Sequence, residues 1–164
     1  MFTRLSKTIL VWVIALHTSL VVFNNLSDYD SNYWFVVHVL KMDTTFPDNQ
    51  GMWRAIDLTA IHHSLYWVII LVEAAVALLC WWGGLRLFRA KDDAKNFSQA
   101  KGIAIAGLTL GIILWFTGFN SVGGEWFLMW QSDVWNGLQS AFRLVVVFGF
   151  TLLYLTFPDA NLDA

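Results

Sequence analysis

The chain has 164 residues, 57% of them hydrophobic and only 13% charged, with ten tryptophans and a net charge of -2. A soluble domain of this size carries about 25% charged residues, so too little polar material is present to cover a water-facing surface, and lipid must cover much of it. The slightly acidic balance speaks against nucleic acid and against a polybasic membrane patch, and the single Cys80 excludes an intramolecular disulfide.

Four apolar runs follow one another along the chain. The first, Thr8 to Leu26, has its only nearby charges just before it, at Arg4 and Lys7. It is longer than the core of a cleaved signal peptide and passes into Asn-Asn-Leu without a small-x-small site, which predicts an uncleaved helix. The second, Ile61 to Gly84, is long enough to cross a bilayer yet carries Glu73 at its centre. The third is Gly102 to Phe119, and the fourth is Gln139 to Phe157, stopped by Pro158. The expected fold is therefore an all-α membrane protein, one domain over residues 1–164 with four transmembrane helices.

Charge orients these spans. Seven of the ten basic residues (Arg4, Lys7, Arg86, Arg89, Lys91, Lys95 and Lys101) lie at the N-terminus or between the second and third runs. The positive-inside rule then predicts both termini in the cytoplasm, with Ser27–Ala60 and Asn120–Leu138 facing outward. Both outer loops suit short interfacial helices. Asn32–Met42 has Trp34, Val37, His38 and Lys41 at helical spacing, and Glu125, Trp126, Met129 and Trp130 follow an i, i+4 pattern. Trp34, Trp126, Trp130 and Trp135 read as an aromatic belt or, in the sharper reading, as the walls of an outer-face ligand pocket.

The stretch NNLSDYDSNYWFVVHVLKMDTTFP (Asn24–Pro47) resembles the signature of a bacterial family of predicted small integral membrane proteins, domain of unknown function 2165. MWRAI (Met52–Ile56), the YWVIILVE run ending at Glu73, and GEWFLMWQSDVWNG followed by Ala141–Arg143 are similar to the same family. The resemblance covers nearly the whole chain. It implies four spans and a bacterial inner membrane, and it implies no activity, so no catalytic residue is carried over.

Polar residues inside the spans are the candidate site, because an ionisable group at mid-depth is costly. His17, Glu73 and Thr109 lie near the middle of the first three spans, counting about 1.5 Å per residue. A step of 100° per residue puts His62, Tyr66 and Glu73 on one stripe of the second span. His17 shares a face with Asn24, and Arg143 shares one with Asn136 and Gln139. These residues predict a polar seam in the outer half of the bundle: His17, Asn24, His62, Tyr66, Glu73 and Arg143. The seam reads as a hydrogen-bonded network fixing helix register, as a proton path, or as a ligand cavity. His38 and Met42, spaced i, i+4, are the weak candidates for a metal or haem iron, and no metal or cofactor is assigned. Gly107, Gly111 and Gly118 share one face of the third span and predict close helix packing, within the bundle or against a partner.

No nucleophile elbow, phosphate loop or zinc signature is present. The leading expectation is a non-catalytic membrane protein, an accessory or assembly-stabilising subunit or a self-associating oligomer, in contact with membrane lipid and a membrane-protein partner or copies of itself. The alternatives are a redox subunit holding quinone, lipid or haem in the seam, and an oligomeric channel or proton-coupled transporter using Glu73.

Overall fold

The computed structural model describes residues 1–159, and these are helical with no β-strand among them. Helices α1 (Phe2–Ser27), α3 (Thr59–Arg89) and α6 (Leu138–Thr156) are each long and apolar enough to cross a membrane. The remaining span, Ala94–Trp126, is composite: α4 (Ala94–Ala100), α5 (Gly102–Ile112) and a π-helical segment, Ile113–Trp126. Helix α2 (Tyr29–Lys41) lies in the first long connection, close to the expected Asn32–Met42 helix. Short 3-10 turns occupy Met52–Arg54 and Met129–Gln131.

Three spans outrun the apolar runs that announce them. Helix α1 begins at Phe2 rather than Thr8, and α3 runs from Thr59 to Arg89 rather than from Ile61 to Gly84. Hydropathy marks only the part of a helix that meets hydrocarbon, and no proline interrupts either helix beyond it. The larger correction concerns the third span, expected to end at Phe119. Its helix continues to Trp126 with the wider i→i+5 pattern, and the side chains of Asn120 and Ser121 add bonds to the carbonyls of Trp115 and Phe116 at 3.0 and 3.2 Å. The interfacial helix expected over Glu125–Trp130 does not form. Glu125 and Trp126 close the π segment, Leu128 breaks the chain in a left-handed conformation (φ 54°), and Met129 and Trp130 start a 3-10 turn.

Helix α3 is the central element, packed between α1 and α5, and α6 closes the bundle against α5, the π segment and α1. Lipid is as apolar as a leucine, so close backbone approach and hydrogen bonds drive association here. Small residues make that approach possible. A Cβ on Gly83 would lie 2.6 Å from the Ala104 backbone, and one on Gly107 would lie 2.9 Å from the Cys80 Sγ. Gly111 lies directly beneath the Phe148 ring, whereas a Cβ on Gly118 would meet Leu114 at an ordinary contact distance of 3.8 Å. Two of the three glycines on that face thus pack inside the bundle, and Gly118 does not.

The start of α1, the residues just after α6 and the turn after α3 meet at one end. Arg4 Nε donates to the Lys91 carbonyl at 2.6 Å, and the Ser6 and Tyr154 hydroxyls are 2.8 Å apart. Lys7, 1% exposed, donates to the Phe157 carbonyl at 2.7 Å and to Asp159 Oδ1 at 2.8 Å. Lys101 donates to the same carbonyl at 2.9 Å and pairs with the second Asp159 oxygen. Burial pushes the Asp159 carboxyl up, but the hydrogen bonds and charges of Lys101 and Lys7 outweigh it and hold the group below its ordinary value.

Candidate functional site

The polar site forms where α1, α2 and α3 meet, toward the loop-bearing end opposite the N-terminus. Glu73 stands at the middle of α3 and is 2% exposed. Asn25 Nδ2 donates to Glu73 Oε2 at 2.7 Å, and Asn32 Nδ2, from α2, donates to Asn25 Oδ1 at 2.8 Å. Tyr66, one face with Glu73, donates its hydroxyl proton to the Asn25 carbonyl at 3.2 Å. Glu73 Oε1 has no hydrogen-bond donor among the described residues. A cavity of about 320 Å³ opens beside these groups, lined also by Asn24, Trp115 and Ser140.

The structure brings together only some of the expected seam. Tyr66 and Glu73 belong to it, and Asn24 lines the cavity while remaining exposed to its surroundings. His62 is buried, but its Nε2 donates to the Ile56 carbonyl at 2.8 Å, anchoring the first long connection to α3. His17 is exposed on the outer face of α1, and Thr109 is exposed on α5, so no mid-depth trio forms with Glu73. Arg143 is exposed as well and, among the described residues, bonds only to Gln139 one turn back, at 3.3 Å.

The reason is a one-residue difference in the inward face of α1. His17 and Asn24 are seven residues apart, and so are Thr18 and Asn25. Helical geometry permits either pair to face the bundle. The buried residues of α1 include Arg4, Lys7, Val11, Ile14, Thr18 and Asn25, spaced alternately by three, four or seven. That stripe selects Thr18 and Asn25, and turns His17 outward. The spacing was readable from the chain, although it starts from two cations that hydropathy alone assigns to water. Asn25, Asn32 and Ser140 are therefore site residues that sequence reasoning missed.

A second cavity, of about 250 Å³, abuts the first and shares Phe35, Val36, Ile69 and Phe119 with it. Its remaining wall is apolar and includes one face of the π segment: Leu114, Gly118, Val122 and Gly123. The wide turn and two glycines leave the groove that a tight α-helix with larger side chains would fill.

The aromatic residues of the two long connections do not converge on one pocket. Trp135 stacks on His38 with ring centroids 4.6 Å apart, Trp130 meets Phe46 edge-on, and Trp126 meets Trp53 edge-on with Arg54 over both rings. Trp34 is 51% exposed on α2. His38 Nδ1 also lies 2.9 Å from Asp43, while Met42 is buried at the left-handed end of α2, so these two weak metal candidates have separate surroundings. Cross-bonds tie the two loops into one cap: Thr44 to Ser132 at 2.8 Å, and Asn49 to Gln131 at 3.1 Å.

Comparison with known proteins places this geometry in a family without assigning it an activity. No curated protein and no solved structure matches the chain. A family profile described as predicted small integral membrane protein (DUF2165) matches residues 3–158, nearly the full length. The chain belongs to that family of small integral membrane proteins.

Proposed function

We propose that this protein is a non-catalytic membrane subunit that associates with a second membrane protein or with further copies of itself, in the cytoplasmic membrane of a bacterium. The observation that carries the reading is His17. Its imidazole sits near mid-helix on the exposed face of α1, with no hydrogen-bond partner among the described residues. A polar group facing hydrocarbon is expensive and has no solvent to satisfy it, whereas a neighbouring helix offers both cover and a partner. Arg143, also outward and bonded to Gln139 on its own helix, adds a second exposed polar group on α6.

The basic residues that gather at the terminal end support an orientation with both termini in the cytoplasm. The capped, tryptophan-rich loops then face the other side.

Native mass spectrometry of the protein, gently extracted from its own membrane, tests the reading. A mass with a companion protein or additional copies is expected for the native sequence, and its loss in His17→Leu with unchanged helicity. A lone monomer for both sequences would overturn it.

A further inference from the structure

The two adjoining cavities form a single amphipathic site. The chamber beside Glu73 has unsatisfied polar groups: Glu73 Oε1, the Asn24 amide and the Ser140 hydroxyl have no hydrogen-bond partner among the described residues. No lysine, arginine or histidine lines it. The groove along the π segment is apolar, and three of its lining residues, Leu65, Val68 and Val122, are 38%, 52% and 45% exposed. These lie on membrane-spanning elements, so the groove is open sideways to lipid.

We propose that this pair of cavities binds an uncharged amphiphile, a hydroxyl- or carbonyl-bearing head on one long hydrocarbon chain. The head lies in the chamber, where Glu73, Asn24 and Ser140 provide hydrogen bonds. The chain lies in the groove between α3 and the π segment, against Gly118. An anionic phosphate or carboxylate head is disfavoured, because it would meet a buried carboxyl and no cation. The size and make-up, a mostly apolar wall with a few placed polar groups, are those of a small-molecule site. Two membrane sources share this chemistry, isoprenoid quinols and monoacylglycerols. The inference is independent of subunit association, since its test reads a bound small molecule rather than a companion protein.

The experiment uses the full-length protein in phosphatidylcholine nanodiscs loaded with decylubiquinol or with monoolein, read by native mass spectrometry. Retention of one of the two is expected and names the source. Gly118→Leu fills the groove where a Cβ has only Leu114 within 4 Å, at 3.8 Å. It should weaken retention by at least about tenfold at unchanged melting temperature. Should Gly118→Leu fail to fold, Ser140→Val, on the exposed side of the chamber, replaces it with the same expected loss. Failure to retain either probe, equal retention by the groove-filled variant, or displacement by oleate would each overturn the proposal.

Discussion

Asn25 Nδ2 donates to Glu73 Oε2 at 2.7 Å, joining α1 to the centre of α3 through a buried polar contact. Asn25 is itself held by Asn32 from α2, so one amide couples three helices. Replacing Asn25 with Leu leaves a buried carboxyl without its donor, and the melting temperature in detergent should drop by the equivalent of about 1–3 kcal/mol. Asn24→Leu, one residue away but exposed, should stay within about 0.5 kcal/mol. Equal effects of the two variants would contradict the inward face assigned to α1.

The clamp at the terminal end should make stability depend on acid. Asp159 is held below its ordinary value by Lys101 and Lys7 against the upward push of burial. Its contribution is therefore fully present above the unfolded carboxyl value of about 4 and fades as pH falls through the lower folded value. Thermal melts from pH 7 to pH 3 should show this loss for the native chain. Asp159→Asn should lie below it at neutral pH, the two curves converging at the acid end.

Glycines on one helix face should differ sharply in tolerance. Gly107→Ala must displace Cys80 or Leu79, each 2.9 Å from the added carbon, and Gly111→Ala must displace the Phe148 ring. Overpacking of this kind costs about 1–3 kcal/mol. Gly118→Ala meets only Leu114 at 3.8 Å and should be neutral or slightly stabilising. Melting temperatures of the three single variants check the ranking.

His62 and the adjacent His63 should also separate. His62 is 2% exposed and holds the Ile56 carbonyl, so His62→Ala should cost about 1–3 kcal/mol and increase proteolysis of the Met42–Leu58 connection. His63 is exposed and stacks on Tyr33 with centroids 4.2 Å apart; its replacement by Ala should cost under about 1 kcal/mol. Limited proteolysis with a melting curve reads both.

Much of the polar site was visible in the chain, and its misplacements have one cause. Glu73 declares itself as a carboxylate in an apolar run, and Tyr66 follows from it through helical spacing along the same element. Which asparagine reaches it from α1 does not follow from the pair spacing, which residues 17 and 24 share with residues 18 and 25; the stripe that separates them starts at Arg4 and Lys7, cations that hydropathy assigns to water. Asn32 and Ser140 come from other elements, where no within-helix spacing relates them to Glu73. Lys7 and Lys101 count correctly as basic residues at one end of the bundle, yet both are buried on the Phe157 carbonyl and Asp159.

Composition and hydropathy were enough to decide that this chain inhabits a bilayer and crosses it four times, since transfer into hydrocarbon depends on residue type and run length. Tertiary structure alone decided which faces turn inward, where the third span ends and which cavities remain. Those outcomes depend on contacts between elements distant in sequence: Gly111 beneath Phe148, Asn25 on Glu73, and Lys7 and Lys101 gathered on Asp159. Lipid does not drive apolar helices together, so the arrangement is set by such close packing and hydrogen bonds, which exist only once the helices have met.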